Sequence, residues 1–148
     1  MNSPLRILVA TDGSPAAEHA VNWCADFGRT TGAEIVLMHT VSKVGEWLMS
    51  VAQIDFVKVE AERRDLLERV WSEPLRKAEV LYRTRFLTGD PVQTIISTAE
   101  EEDVDFIVIG KTGHGHRGAQ LIGGTAGHVG LHSKRPLMLI PIPAAGKE

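Results

Sequence analysis

The chain is short of several things, and each shortage excludes something. It has one cysteine, Cys24, in 148 residues. That rules out an internal disulfide framework and leads to the expectation of a reducing, cytoplasmic setting. Its apolar runs reach only four to six residues, against the ~20 that a membrane helix needs. Residues 1–10 carry one basic side chain and no small-residue cleavage site, so no signal peptide is read there. No sign of charge dominates: 16 Lys and Arg stand against 19 Asp and Glu, a net −3. The broad basic footprint of a general nucleic-acid binder is therefore missing. There is no internal repeat and no low-complexity tract. Hydrophobic residues at 43% and charged residues at 24% fit one globular domain over residues 1–148. The tail after about residue 142 is expected to fray.

The rest alternates between strand and helix signals. Leu5, Ile7, Leu8, Val9 and Ala10 form an apolar run that ends at Thr11-Asp12-Gly13-Ser14. Ser14 is a good N-cap, and Pro15 stands at the first helical position, where a missing N–H costs nothing. Ala17, Ala20, Val21, Cys24 and Gly28 fall at helical spacing and mark a buried stripe. Residues 35–38 are a second apolar run. Residues 42–53 read as a loop, and a charged helix follows over about 57–80, with Leu67, Val70, Trp71, Leu75 and Ala78 as its stripe. Pro74 predicts a kink or restart in it. Residues 82–87 alternate Arg83 and Arg85 with Thr84 and Phe86, as an exposed edge strand does. Asp90-Pro91 opens another helix, with Val92, Ile95, Ile96 and Ala99 as its stripe and an acidic patch at residues 100–103 closing it. Residues 106–109 and 137–140 are the last two strands. Four of five strands are nearly continuous apolar runs, as in a parallel sheet covered on both faces. The predicted class is a doubly wound α/β domain.

In such a sheet, ligands bind beyond the carboxyl ends of the strands, where strand order reverses. Two loops qualify: residues 11–14, and the segment that starts at Gly110. Eight of the 14 glycines lie in residues 110–130. Glycine permits close backbone approach, and successive free N–H groups make an anion nest; phosphate is the natural guest. The plain alternative is a loop with small residues for helix packing. Gly110-Lys111-Thr112 imitates the end of a Walker A loop, but the glycine required five residues earlier is Asp105. Gly113, Gly115 and Gly118 spell G-x-G-x-x-G after the fourth strand instead of the first, so a dinucleotide fingerprint is discounted.

These residues resemble the universal stress protein family. Its ATP-binding members carry Gly, two residues, Gly, nine residues, then Gly followed by Ser or Thr. Here Gly110 and Gly113 are followed by residues 114–122 and then Gly123. Asp12-Gly13-Ser14 is similar to the turn that ends the family's first strand, and residues 136–141 are similar to its last. The one departure is Gly124 in place of Ser or Thr, with Thr125 one position later. The resemblance implies a five-stranded parallel sheet in the order 3-2-1-4-5 with helices on both faces, like the adenine nucleotide alpha hydrolases. It implies ATP as ligand, with Ala10 and Thr11 lining the nucleotide, Val41 meeting adenine through its backbone, and Ile109 and Gly110 on the ribose side. Gly113, Gly123, Gly124 and Thr125 would cradle the phosphates, with Ala126 a weaker contact. Asp12 would help hold Mg²⁺, which favours carboxylate, phosphate and water oxygens. It also implies a homodimer through the fifth strand, Leu137 to Ile140, an apolar edge open to pairing.

Other candidates carry less chemistry. Lys111 and Arg117 read equally as partners for phosphate charge or as solvated surface cations. His114 and His116 flank Gly115 without a third ligand placed by spacing. His128 and His132 share a helix face but lack the Glu of a zinc-protease motif. Cys24 lies on an apolar stripe, as an inert buried thiol does. The leading expectation is a stress-associated regulatory dimer that binds Mg-ATP and is not a dedicated ATPase. The alternative is an adaptor module of the same fold without nucleotide. A nucleotidyl transferase or pyrophosphatase-type ligase is a third reading, and its characteristic loops are missing.

Overall fold

A computed structural model describes residues 3–111 and 124–143. Five strands form one parallel sheet: β1 (Arg6–Ala10), β2 (Glu34–Val41), β3 (Tyr82–Thr88), β4 (Phe106–Gly110) and β5 (Leu137–Ile140). Their order is β3-β2-β1-β4-β5, as expected. Helices α1 (Pro15–Thr31), α2 (Lys43–Val51), α3 (Phe56–Leu66), α4 (Glu73–Lys77), α5 (Pro91–Glu101) and α6 (Gly124–His132) complete the described part. The expected phosphate glycines Gly113 and Gly123, and the tail beyond residue 143, lie outside the described residues.

The period-two geometry of the strands sends alternate side chains to two cores. Ile7, Val9, Ile35 and Leu37 pack with Ala20, Val21 and Cys24 of α1 and with Leu67 and Leu75. On the other face, Leu8, Val36, Met38 and Ile107 pack with Ile95 and Ala99 of α5 and Val129 of α6. β1, buried on both faces, is the shared floor of both layers.

Local chemistry explains the element boundaries. The Ser14 hydroxyl accepts the Ala17 N–H at 3.2 Å and starts α1. Gly32, at φ +79°, ends it. The long charged helix is broken where Pro74 demands it. A proline there offers no N–H to Val70, and its ring clashes with that carbonyl. The chain widens into a π-helical turn over Leu67–Trp71 and restarts as α4. Of the expected stripe, Leu67 and Leu75 are fully buried and Val70 is exposed, because the wide turn rotates Val70 out of helical register.

Residues 42–53 differ from the expected loop. The Ser42 hydroxyl accepts from the N–H groups of Val44 and Gly45, and α2 follows. Its signals were a capping serine, Glu46 in the first turn and apolar residues at helical spacing; Gly45 and the short length obscured them. β3 is an edge, as its alternation predicted. Arg83 makes a forked contact to Glu102, with Nε to Oε2 at 2.7 Å, and Arg85 reaches Glu101 at 3.0 Å. The acidic patch that closes α5 thus neutralises the arginines of the edge strand.

Replacing Ser14 with Ala removes the α1 cap beside the first loop. The expected loss is about 1 kcal/mol of unfolding free energy, read as a lower urea midpoint at unchanged slope.

Candidate functional site

β1 lies between β2 and β4, and the chain leaves these strands toward opposite faces. The carboxyl ends of β1, β2 and β4 therefore open onto one crevice. Its floor is the turn at residues 11–14. The buried Thr11 donates its N–H to the Met38 carbonyl at 2.9 Å, one step past the last β1–β2 pair. Its hydroxyl accepts the Gly13 N–H at 3.1 Å. Asp12 Oδ1 accepts the Ser14 N–H at 2.9 Å, which closes an Asx turn and leaves the exposed carboxylate facing solvent through Oδ2. Gly13 is required twice over. Its φ is +78°, and an added Cβ would stand 2.6 Å from the Trp71 ring.

The same turn is anchored from beneath. His39 of β2 donates its Nδ1–H to the Thr11 carbonyl at 2.8 Å. A carbonyl can only accept, so the neutral ring carries its proton on Nδ1. Nε2 is buried with no hydrogen-bond partner among the described residues. The ring is held edge-on by Trp71, centroids 5.0 Å apart, and tilted on Phe86 at 5.7 Å. Burial pushes the pKa of His39 below its ordinary 6.5; the Thr11 bond opposes this, Arg63 adds to it, and Asp12 opposes it.

The fourth strand forms the opposite wall. Gly110 ends β4 against the first turn of α1. A Cβ there would lie 2.6 Å from the carbonyl carbon and oxygen of Ala16, so only glycine fits. Ala10 and Ile109 stand side by side by continuation of the Val9–Val108 register, both half-buried. α6 begins at Gly124. The first N–H groups of a helix have no intrahelical partner, and they carry the positive end of its dipole. Gly124 and Thr125 are exposed at this end, whereas the Ala126 side chain is buried and offers only its backbone. Gly124 has open space where a Cβ would stand.

The backbone of Val41 is turned away from the crevice. The Val41 side chain is buried, and its carbonyl accepts the Gly89 N–H at 3.0 Å, toward β3. Backbone groups alternate sides along a strand, so those of Thr40 point toward the end of β1 and the crevice. The Thr40 hydroxyl is fixed by Thr94 of α5 at 2.7 Å. The alternation was available from the sequence only once the register of β2 was known.

A family model of the universal stress proteins matches residues 5–141. The chain belongs to this family. It is 26% identical over 145 residues to universal stress protein Rv2623 of Mycobacterium tuberculosis, which covers 94% of this chain and 48% of that protein. The chain thus spans about half the length of several curated relatives it matches. It is also 25% identical to universal stress protein MJ0577 of Methanocaldococcus jannaschii, covering 91% of this chain and 93% of the relative. The solved structure of MJ0577 superposes with a TM-score of 0.79 at 23% identity, over 95% of this chain and 98% of that one. The universal stress protein of Archaeoglobus fulgidus, solved in complex with dAMP, gives a TM-score of 0.64 at 21% identity, over 91% and 96%.

A second cleft of this universal stress protein, of about 420 Å³, lies between α1 and the π-helical turn and meets the crevice floor at Thr11 and Gly13. His128 and His132 stack on the exposed face of α6 with centroids 6.5 Å apart, as their spacing predicted. Among the described residues no group of three His, Cys, Asp or Glu side chains could hold a metal. Cys24 is fully buried, and burial pushes its thiol pKa up, which keeps it an inert protonated thiol.

His39 gives the fold a defined pH response. As pH falls below about 6.5, the unfolded chain takes up a proton that the native ring resists, so stability falls until the lower native pKa is passed. His39→Phe keeps the aromatic packing and removes that proton. In melts from pH 8 to 5, the wild type is expected to lose stability more steeply than the variant below pH 6.5, by at most about 1.4 kcal/mol per pH unit. Parallel profiles would refute this role.

Proposed function

We propose that the chain binds Mg-ATP in the crevice between the turn at residues 11–14 and the amino end of α6, and acts as a regulatory dimer in a stress response. The observation that carries this reading is the paired close approach at Gly13 and Gly110. A Cβ at either position would meet the chain itself, Trp71 at Gly13 and Ala16 at Gly110, so glycine at both keeps the ends of β1 and β4 close to the start of α1, and the amino end of α6 adds a helix dipole. The amino end of a helix beside glycine backbone suits phosphate. The A. fulgidus relative, solved with dAMP, supports an adenine nucleotide as the class of ligand.

In this reading, the backbone of Thr40 reads the adenine edge, Ala10, Ile109 and Gly110 flank the base and ribose, and Gly124 and Thr125 face the phosphates. Asp12 fits a magnesium ligand: one carboxylate oxygen is spent on the turn, and the other is exposed beside the rim. Bound Mg²⁺ would neutralise phosphate charge. The signal is occupancy and not turnover, since nucleotide that spans the β1–α1 turn and α6 links helices that cover opposite faces of the sheet. The dimer is assigned to β5, an edge strand whose Met138 is 38% exposed. The adaptor reading is favoured by one observation, the absence of a hydroxyl at Gly124.

Two measurements test this. Excess Mg-ATP at about 100 times Kd should raise the melting temperature by about 5–10 °C, with GTP giving no such shift. No shift at millimolar ATP would put the adaptor reading first. Gly124→Ser introduces the missing hydroxyl into open space. It is expected to tighten Mg-ATP binding about tenfold by titration calorimetry, the effect of one hydrogen bond to an anion. Unchanged affinity would take Gly124 out of the phosphate contact.

A further inference from the structure

Helix α2 is turned the wrong way round for a helix that serves only its own fold. Val44, Trp47, Leu48 and Val51 fall at i, i+3, i+4 and i+7, the stripe that a surface helix normally presents to the core. Here they are 67%, 64%, 54% and 65% exposed. The line that faces inward is Gly45 and Met49 instead, both half-buried. No residue of α2 is buried, and the apolar surface continues into Ile54 and Val57, at 50% and 74% exposure. These six side chains leave on the order of 600 Å² of apolar surface, at the top of the range for monomers and close to the ~800 Å² that each partner gives to a standard interface.

We infer that this face of α2 is a contact between two copies of the chain, with the two α2 helices packed antiparallel across a two-fold axis. The chemistry of the stripe is self-complementary about its midpoint between Trp47 and Leu48. An antiparallel pair sets Val44 of one copy against Val51 of the other, and Trp47 against Leu48, so two large anchors fill the centre and two valines close each end. Isologous contacts require such self-complementarity. The charges agree. The last turn of α2 has no basic residue, and Lys43 stands at its first position. The antiparallel pair brings each Lys43 to the carboxyl end of the other helix, where a cation is favoured. The acidic Glu46 remains in the first turn, which also suits the dipole. This contact is distinct from the β5 edge and does not depend on nucleotide.

The test uses the full chain. Sedimentation velocity is run on wild type, Trp47→Glu and Val51→Glu over micromolar concentrations, with circular dichroism and melting as controls. The four side chains of this face are more than half exposed, so both variants should fold as the wild type does. The expected result is a two-fold lower mass for either variant: from dimer to monomer if α2 alone associates, or from a higher assembly to dimer if β5 also pairs. A Met138→Asp variant separates these cases, because it breaks only the β5 contact. Equal mass for wild type and both α2 variants overturns the proposal, and leaves the β5 dimer and ATP binding to their own tests. The pairing is checked with Val44→Cys and Val51→Cys chains, since native Cys24 is buried. Oxidising their mixture should yield a crosslinked dimer well above that from either chain alone. Equal crosslinking of Val44→Cys with itself overturns the antiparallel arrangement. A monomeric wild type that sediments with neutral phosphatidylcholine vesicles, and loses this with Trp47→Glu, overturns the proposal in favour of a lipid surface.

Discussion

The hydrogen bond from His39 to the Thr11 carbonyl holds the crevice together. Thr11 lies just beyond the last paired residue of β1, where a strand would ordinarily fray into a loop. Its N–H is still tied to β2 through Met38, and its carbonyl is tied to β2 through the His39 ring. Both backbone groups are thus fixed to the same neighbouring strand by different means. Their rigidity passes to the Asx turn at Asp12 and to the Ser14 cap, so the start of α1 is set relative to the sheet. Gly110 then sits against Ala16 at a separation that no other residue allows. Breaking the first bond would loosen the second contact, because Ala16 is in the first turn of the helix that Ser14 begins.

The cost of this anchoring is borne by His39. A buried ring whose Nε2 has no partner among the described residues lacks one of the hydrogen bonds it would have in water, a loss of roughly 1–3 kcal/mol. The ring edges of Trp71 and Phe86 recover part of this through contact with the imidazole. Trp71 has a second task, since its indole lies where a Cβ of residue 13 would stand. One side chain, delivered by a π-helical turn that Pro74 forces, therefore both seats the histidine and requires a glycine in the site loop. The irregularity in the charged helix and the geometry of the crevice have a common cause.

Much of this was legible in the sequence, and the parts that were not share a reason. Strand order, the edge character of β3, the α1 stripe from Ala17 to Gly28 and the break at Pro74 all follow from local pattern, from turn chemistry, or from the family resemblance carried by Gly110 and Asp12-Gly13-Ser14. His39 was passed over because its neighbours in sequence, Leu37, Met38 and Val41, read as strand, and a histidine in such a run signals nothing until its cross-strand partner is known. Val41, just past the second apolar run, was expected at the adenine from the family resemblance; the parity of β2 against β3 turns the backbone of Thr40, and not of Val41, toward β1. Val70 was expected inside because a regular helical period was assumed through a turn that is wider than regular. The role of His39 and the orientation at Val41 depend on parity, which is set by partner strands far away in the chain, whereas Val70 and α2 were obscured locally, by the turn before Pro74 and by Gly45. Gly113 and Gly123 rest on the sequence alone.

The placement of α2 extends the same logic to the surface. Ser42 caps it one residue after Val41, so the helix springs from the strand whose end borders the crevice. Ser42 and Gly45 fix its entry, and the inward side is only as wide as Gly45 and Met49 permit. A helix held by so narrow a seam gains little from its own fold and must be stabilised mainly by what covers its outer face. Packing across a two-fold axis would bury the stripe and stiffen the carboxyl end of β2 at the same time. The backbone of Thr40 lies two residues before that cap, so assembly at α2 and ligand at the crevice would act on the same short stretch of chain. Two sites that order one segment favour each other, since the entropy lost in ordering it is then lost only once.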